Sequence, residues 1–96
     1  MDEDLILKAL AHPARRQMLA WMRKPEQHFP DQALPHDLGI CAGQFARCGL
    51  AQSSVSAHLA VLTAAGLIVR ERIGQWVFYR RDEAVIAAFR NAMAAL

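Results

Sequence analysis

No stretch of this 96-residue chain approaches the about 20 consecutive apolar residues of a membrane-spanning helix, and no leader peptide is expected before the domain. The opening Asp2-Glu3-Asp4 is acidic, which argues against export and predicts a cytoplasmic protein with no membrane partner. Cysteine is scarce: Cys41 and Cys48 are the only two, and in an unexported chain they are expected as thiols rather than as a structural disulfide. Low-complexity tracts and internal repeats are absent. No nucleophile–base pair, phosphate-cradling loop or paired carboxylates can be placed, and the serines around Val55 lack the glycine elbow of a hydrolase, so an enzyme is the function least supported. Acidic charge is nearly missing from residues 47–81, where Arg47, Arg70, Arg72, Arg80 and Arg81 surround the single acid Glu71. The rest of the chain is slightly acidic, so a net charge of +2 conceals a basic segment.

This length supports one small domain with a single core, residues 1–96. A hydrophobic fraction of 54% exceeds what so small a monomer buries, which predicts that some apolar surface meets a second copy.

Along the chain, Leu5, Ile6, Ala9 and Leu10 stand at helical spacing in a first helix, about 4–11, with Asp4 as its expected cap. His12-Pro13 breaks the run. Pro13 suits the first turn of a second helix, about 13–22, with Met18, Leu19 and Met22 inward and Arg15, Arg16 and Arg23 outward. Three prolines in residues 24–37 predict an extended loop. Leu38, Cys41, Phe45 and Cys48 suggest the inward stripe of a third helix over 38–48, closed by Gly49. A fourth helix, about 52–65, buries Val55, Leu59 and Leu62 and ends at Gly66. Strand formers then flank Gly74-Gln75, which predicts a tight hairpin over about 67–81. The last helix, about 82–96, is capped by Asp82 and carries Val85, Ile86, Phe89, Met93 and Leu96 on an apolar face. Nothing later covers that face, so together with Leu5, Ile6 and Leu10 it is the expected dimer surface.

The fourth helix presents Ser53, Ser54, Ser56, Ala57, Ala60 and Thr63 away from its buried line. Small side chains let a helix backbone sit deep in a groove, and hydroxyls bond phosphates or bases. A helix that enters the DNA major groove, followed by a basic two-stranded ribbon, is the order of parts in a winged helix-turn-helix. The fold class is therefore mainly α with a two-stranded β-wing, in the order α-α-α-α-β-β-α, and dimeric.

The segments ALAHPARRQMLAWM, GLAQSSVSAHLAVLTAAGLI and GQWVFYR resemble the ArsR/SmtB family of bacterial winged-helix repressors. The resemblance covers residues 5–81, and the last helix more loosely. It implies a homodimer paired through first and last helices, an inverted-repeat operator on double-stranded DNA, and an inducer that releases the protein. It also implies DNA contacts from Gln52, Ser53, Ser54, Ser56 and His58, with Arg70, Arg72 and Gln75 on the wing. Beside these roles stand plainer ones: Gln52 and Ser53 as helix caps, His58 as a half-buried residue reaching a phosphate at most, and Arg80 and Arg81 as a solvated face. The competing function is a winged-helix protein–protein module without DNA binding. It would carry acidic or bulky apolar residues on the reader helix, where this chain has small polar ones.

The sensed signal is less legible. Members of this family that detect thiophilic metals or arsenite carry a Cys-x-Cys motif where this chain has Leu38-Gly39-Ile40-Cys41-Ala42, and zinc sensors use a histidine-bearing cluster on a last helix that here has no histidine. No cofactor is implied with certainty. On one α-helix Cys41 and Cys48 would share a face about 10 Å apart, too far for a disulfide or for joint grip on one ion. Three roles stay open. Both thiols can be core residues. Cys41 can be a sensing thiol activated by a helix N-terminus. A thiophilic metal or metalloid can be held with His28 or His36.

Overall fold

A computed structural model describes residues 1–96. Helix α1 spans Glu3–Leu10, α2 spans Pro13–Met22, and a single turn, α3, spans Pro25–His28. A short strand β1, Ile40–Cys41, precedes α4, Gln52–Ala64. The wing follows as β2, Ile68–Ile73, and β3, Trp76–Arg81, and α5, Glu83–Met93, closes the chain. The architecture is mainly helical with a β-hairpin wing, as the sequence predicts.

The long elements are built from local chemistry. Pro13 occupies the first turn of α2, and the His12 ring accepts from the Ala14 N–H to cap it. Asp2 rather than Asp4 caps α1, accepting from the Leu5 N–H, because the helix starts two residues before the position an Asp4 cap would set. Asp82 caps α5 through the Val85 N–H. Gly74, at φ +62°, allows the two-residue turn that sets Ile73 opposite Trp76.

The core gathers Ile6 and Ala9 of α1, Met18, Leu19 and Met22 of α2, Val55, Leu59 and Leu62 of α4, and Ile68 and Ile86. Ile6 and Ile86 were expected on a dimer surface. They are instead buried within the single chain, as each packs on the elements next to it. Leu5, exposed to 44%, and Leu7, to 47%, are the large apolar side chains of α1 left outside.

Residues 24–48 depart most from the sequence reading. The proline-bearing segment is not wholly extended: α3 begins at Pro25, and Phe29 behind it is buried, edge-on to Phe45 at 5.2 Å. No α-helix covers 38–48. Gly39 takes φ 112° and ψ −168°, a conformation open essentially to glycine alone, and turns the chain into β1. Strand β1 pairs with β3, Ile40 opposite Tyr79 and Cys41 opposite Phe78, so the sheet has three strands with β3 in the middle. On the outer edge of β1 the Gln32 amide stands in for a further strand, donating to Gly39 O at 2.9 Å and accepting from the Cys41 N–H at 3.1 Å. Residues 42–48 then form a 3₁₀-helix, whose side chains recur every third position. Ala42, Phe45 and Cys48 accordingly turn inward together.

Arginines stitch these parts. Arg15 donates to Ala9 O and Lys8 O, and Arg16 to Leu10 O, so both close the C-terminal end of α1 rather than standing free in solvent. Arg81, expected on a solvated face, has a side chain only 7% exposed. It donates to Leu19 O of α2 at 2.9 Å and pairs with Glu83 of α5 at 2.8 Å.

Candidate nucleic-acid interface

Burying Val55, Leu59 and Leu62 leaves Gln52, Ser53, Ser54, Ser56, Ala57 and Ala60 of α4 exposed. The N-cap is Ala51, and no side chain hydrogen-bonds to this end of the helix. Gln52 and Ser53 are thus not caps, and the first-turn N–H groups stay available at the positive end of the helix dipole. Thr63 points elsewhere, its hydroxyl donating to Leu59 O at 2.7 Å.

His58 is half-buried on the flank of α4 that faces the α1–α2 corner. Its ring centroid lies 4.5 Å from that of His12, and its Nδ1 lies 3.3 Å from an Arg15 guanidinium nitrogen. Burial lowers its pKa, and the neighbouring His12 and Arg15 lower it further. The Arg15 cation beside this histidine therefore favours its neutral form.

On the wing, Arg70 and Arg72 are two residues apart and project from one face of β2. Both are exposed; Arg72 Nε donates to Gly74 O at 3.1 Å, while Arg70 makes no side-chain hydrogen bond. Gln75 sits exposed in the turn, beside Trp76 at 48% exposure. The basic segment is less free than its composition implies. Acids from outside it come in: Asp31 pairs with Arg47 at 2.8 Å and Glu83 with Arg81. Within it, Glu71 pairs with Arg80 at 2.7 Å. Arg70 and Arg72 are the two arginines left without an acidic partner.

Cys41 lies on β1 and Cys48 at the far end of the 3₁₀-helix, so the two are not on one α-helix. At about 2 Å rise per residue the separation is roughly 14 Å, and the thiols still cannot bridge. Cys41 stands at the start of a 3₁₀-helix rather than of the expected α-helix, and burial pushes its thiol pKa up. Burial also raises that of Cys48, partly opposed by Arg47. His36 is engaged, its Nε2 donating to Phe29 O at 2.7 Å, and no group of three or more His, Cys, Asp or Glu side chains converges. Gln32 and Arg81, which no motif signalled, hold the base of the wing in place. Trp76 was expected only as a strand former, yet it stands at the wing tip.

No protein-family profile matches the chain. It is 38% identical over 89 residues to a Bacillus subtilis (strain 168) protein named uncharacterized HTH-type transcriptional regulator YbzH, a match spanning 90% of this chain and 89% of that one. Among solved structures it is similar to the transcriptional regulator HlyU from Vibrio vulnificus CMCP6, with a TM-score of 0.60 and 28% identity over 95% of this chain and 83% of that chain. Neither relative is named as an enzyme, and no helix here is long and apolar enough to cross a membrane. An exposed hydroxyl-bearing helix, an adjoining arginine-bearing wing and these two relatives lead to one conclusion: the chain belongs to the helix-turn-helix transcriptional regulators and is a DNA-binding regulator of winged-helix form.

Proposed function

We propose that this regulator is of the ArsR/SmtB type: a cytoplasmic homodimeric repressor that binds an inverted-repeat operator and is released by a small inducer. The observation that carries the reading is α4, uncapped and lined with small hydroxyls, beside a wing whose Arg70 and Arg72 lack acidic partners. In this arrangement Ser54 and Ser56 reach base edges in the major groove, and Gln52 and Ser53 meet phosphate at the helix start. His58, turned toward Arg15, contributes a flanking phosphate contact at most. Arg70, Arg72 and Gln75 brace on the backbone from the wing. The dimer is supported by apolar side chains left outside the core, namely Leu5 and Leu7 of α1 with the half-buried Val85 and Met93 of α5.

Fluorescence anisotropy on DNA from the protein's own promoter region tests this at rising salt. DNA binding through arginines weakens steeply as salt rises, because the counterions it releases gain less entropy, with log K falling in proportion to log salt. Saturable binding to a protein partner, insensitive to salt and with no affinity for promoter DNA, would instead establish the protein–protein module.

A further inference from the structure

Between α2, the foot of the wing and α5 lies a cleft of about 280 Å³ that the DNA-binding surface does not use. Its floor is apolar, formed by Leu10, Leu67, Ile86 and Phe89, while Arg16, Arg23, Arg81 and Arg90 all line it. No carboxylate lines it with them. Two of these arginines are engaged: Arg81 by Glu83 and Leu19 O, and Arg16 in part by Leu10 O. Arg23, the C-cap of α2, and Arg90 of α5 are exposed and make no side-chain hydrogen bond or ion pair.

We propose that this cleft binds a small organic anion, a carboxylate on a compact apolar body. Guanidiniums match a carboxylate in paired, charge-assisted hydrogen bonds, and Arg23 and Arg90 have their donors free for one. The floor takes the body by the burial of apolar surface that drives most small-ligand sites. The volume suits a single ring or a short acyl chain and excludes a long lipid. Inorganic phosphate satisfies the arginines but leaves the floor wet, so it fits half the site. The cleft also joins the helix that packs on α4 to the foot of β3 and to α5. Its occupant is therefore the class of ligand that would act as inducer, a role that rests on the repressor reading above.

Binding and regulation are separable in the test. Backbone NMR shifts of the whole chain would be followed on titration with phenylacetate and octanoate, with phenylacetamide and inorganic phosphate as controls. The expected result is saturable shifts at Ala20, Arg23, Leu67 and Arg90 with at least one carboxylate. The amide and phosphate should bind about tenfold more weakly or worse, and a variant carrying both Arg23→Ala and Arg90→Ala should lose at least as much. Both side chains are exposed and unpaired, so an unchanged melting curve checks that this variant folds. No saturable shift with either carboxylate, or equal binding of amide and acid, overturns the site. So does a double variant that binds the carboxylates undiminished. If the double variant instead dissociates a dimer while no probe binds, the arginines hold the acidic Asp2-Glu3-Asp4 start of a second copy, and the proposal falls. Promoter DNA binding is then measured with the bound carboxylate. A loss of about fivefold or more supports the inducer role. Unchanged DNA affinity removes that role and leaves the site, whereas ligand binding with no DNA binding at all overturns the repressor reading alone.

Discussion

Gly39 holds two constraints at one atom. Its φ of 112° disfavours any side chain, and a Cβ built there would lie 2.7 Å from Tyr79 O in the middle strand of the sheet. Gly39→Ala is expected to cost roughly 3 kcal/mol, read from denaturant unfolding, by adding backbone strain to a clash with backbone that cannot swing away. His58 gives a pH dependence. Its folded pKa is depressed, so the unfolded chain binds the proton more readily, and stability is full above the unfolded value of about 6.5. Stability should fall as the pH is lowered from there toward the folded pKa. His58→Gln should flatten the change in melting temperature between pH 8 and pH 5; an equally acid-sensitive variant would place the cause elsewhere. Cys41, its thiol pushed up by burial, should react with iodoacetamide at neutral pH more slowly than free cysteine, as mass spectrometry would show. The half-burial of His58 and the packing of Cys41 were among the readings the sequence allowed, but the neighbours that set all three environments were not legible. Each depends on a neighbour distant in the chain: Tyr79 for Gly39, Arg15 for His58 and Phe78 for Cys41.

Elements divide by how much of their pattern is local. Helix α4 carries a clean Val55, Leu59, Leu62 line and a glycine stop, and the wing carries strand formers around Gly74, so both were readable within a residue or two. Residues 38–48 misled because a three-residue period and a helical one overlap over so short a run, and Ala42, Phe45 and Cys48 follow the former. The extra strand has only two residues and exists because Gln32 and β3 flank it. For the reader itself, replacing Ser54 and Ser56 by alanine should cost roughly tenfold in discrimination between operator and scrambled DNA while helicity is kept. Arg72→Ala should weaken binding to both sequences alike and reduce the slope of log K against log salt by about one, as measured by anisotropy. If the serine variant keeps full discrimination, base reading lies outside α4.

At the scale of the whole molecule, the apolar excess in the composition resolves into two destinations. Part is the core, which claims Ile6 and Ile86, and part remains outside on α1 and α5. Leu5→Glu places a charge on that outer part without touching the core and should shift sedimentation velocity toward the monomer. An unchanged sedimentation coefficient would remove α1 from the interface. The anchoring of the wing has a mechanical consequence. Strand β3 is held at Arg81, which ties it to α2 and α5, and by β1 at Tyr79 and Phe78, so that its Trp76 end projects beyond both. At about 3.4 Å per residue the arm from Phe78 to Trp76 is a lever roughly 7 Å long. A tilt of about 10° at that pivot carries the tip through roughly 1 Å. A small change in how β1 grips β3 would in this way loosen the phosphate contact proposed for Gln75.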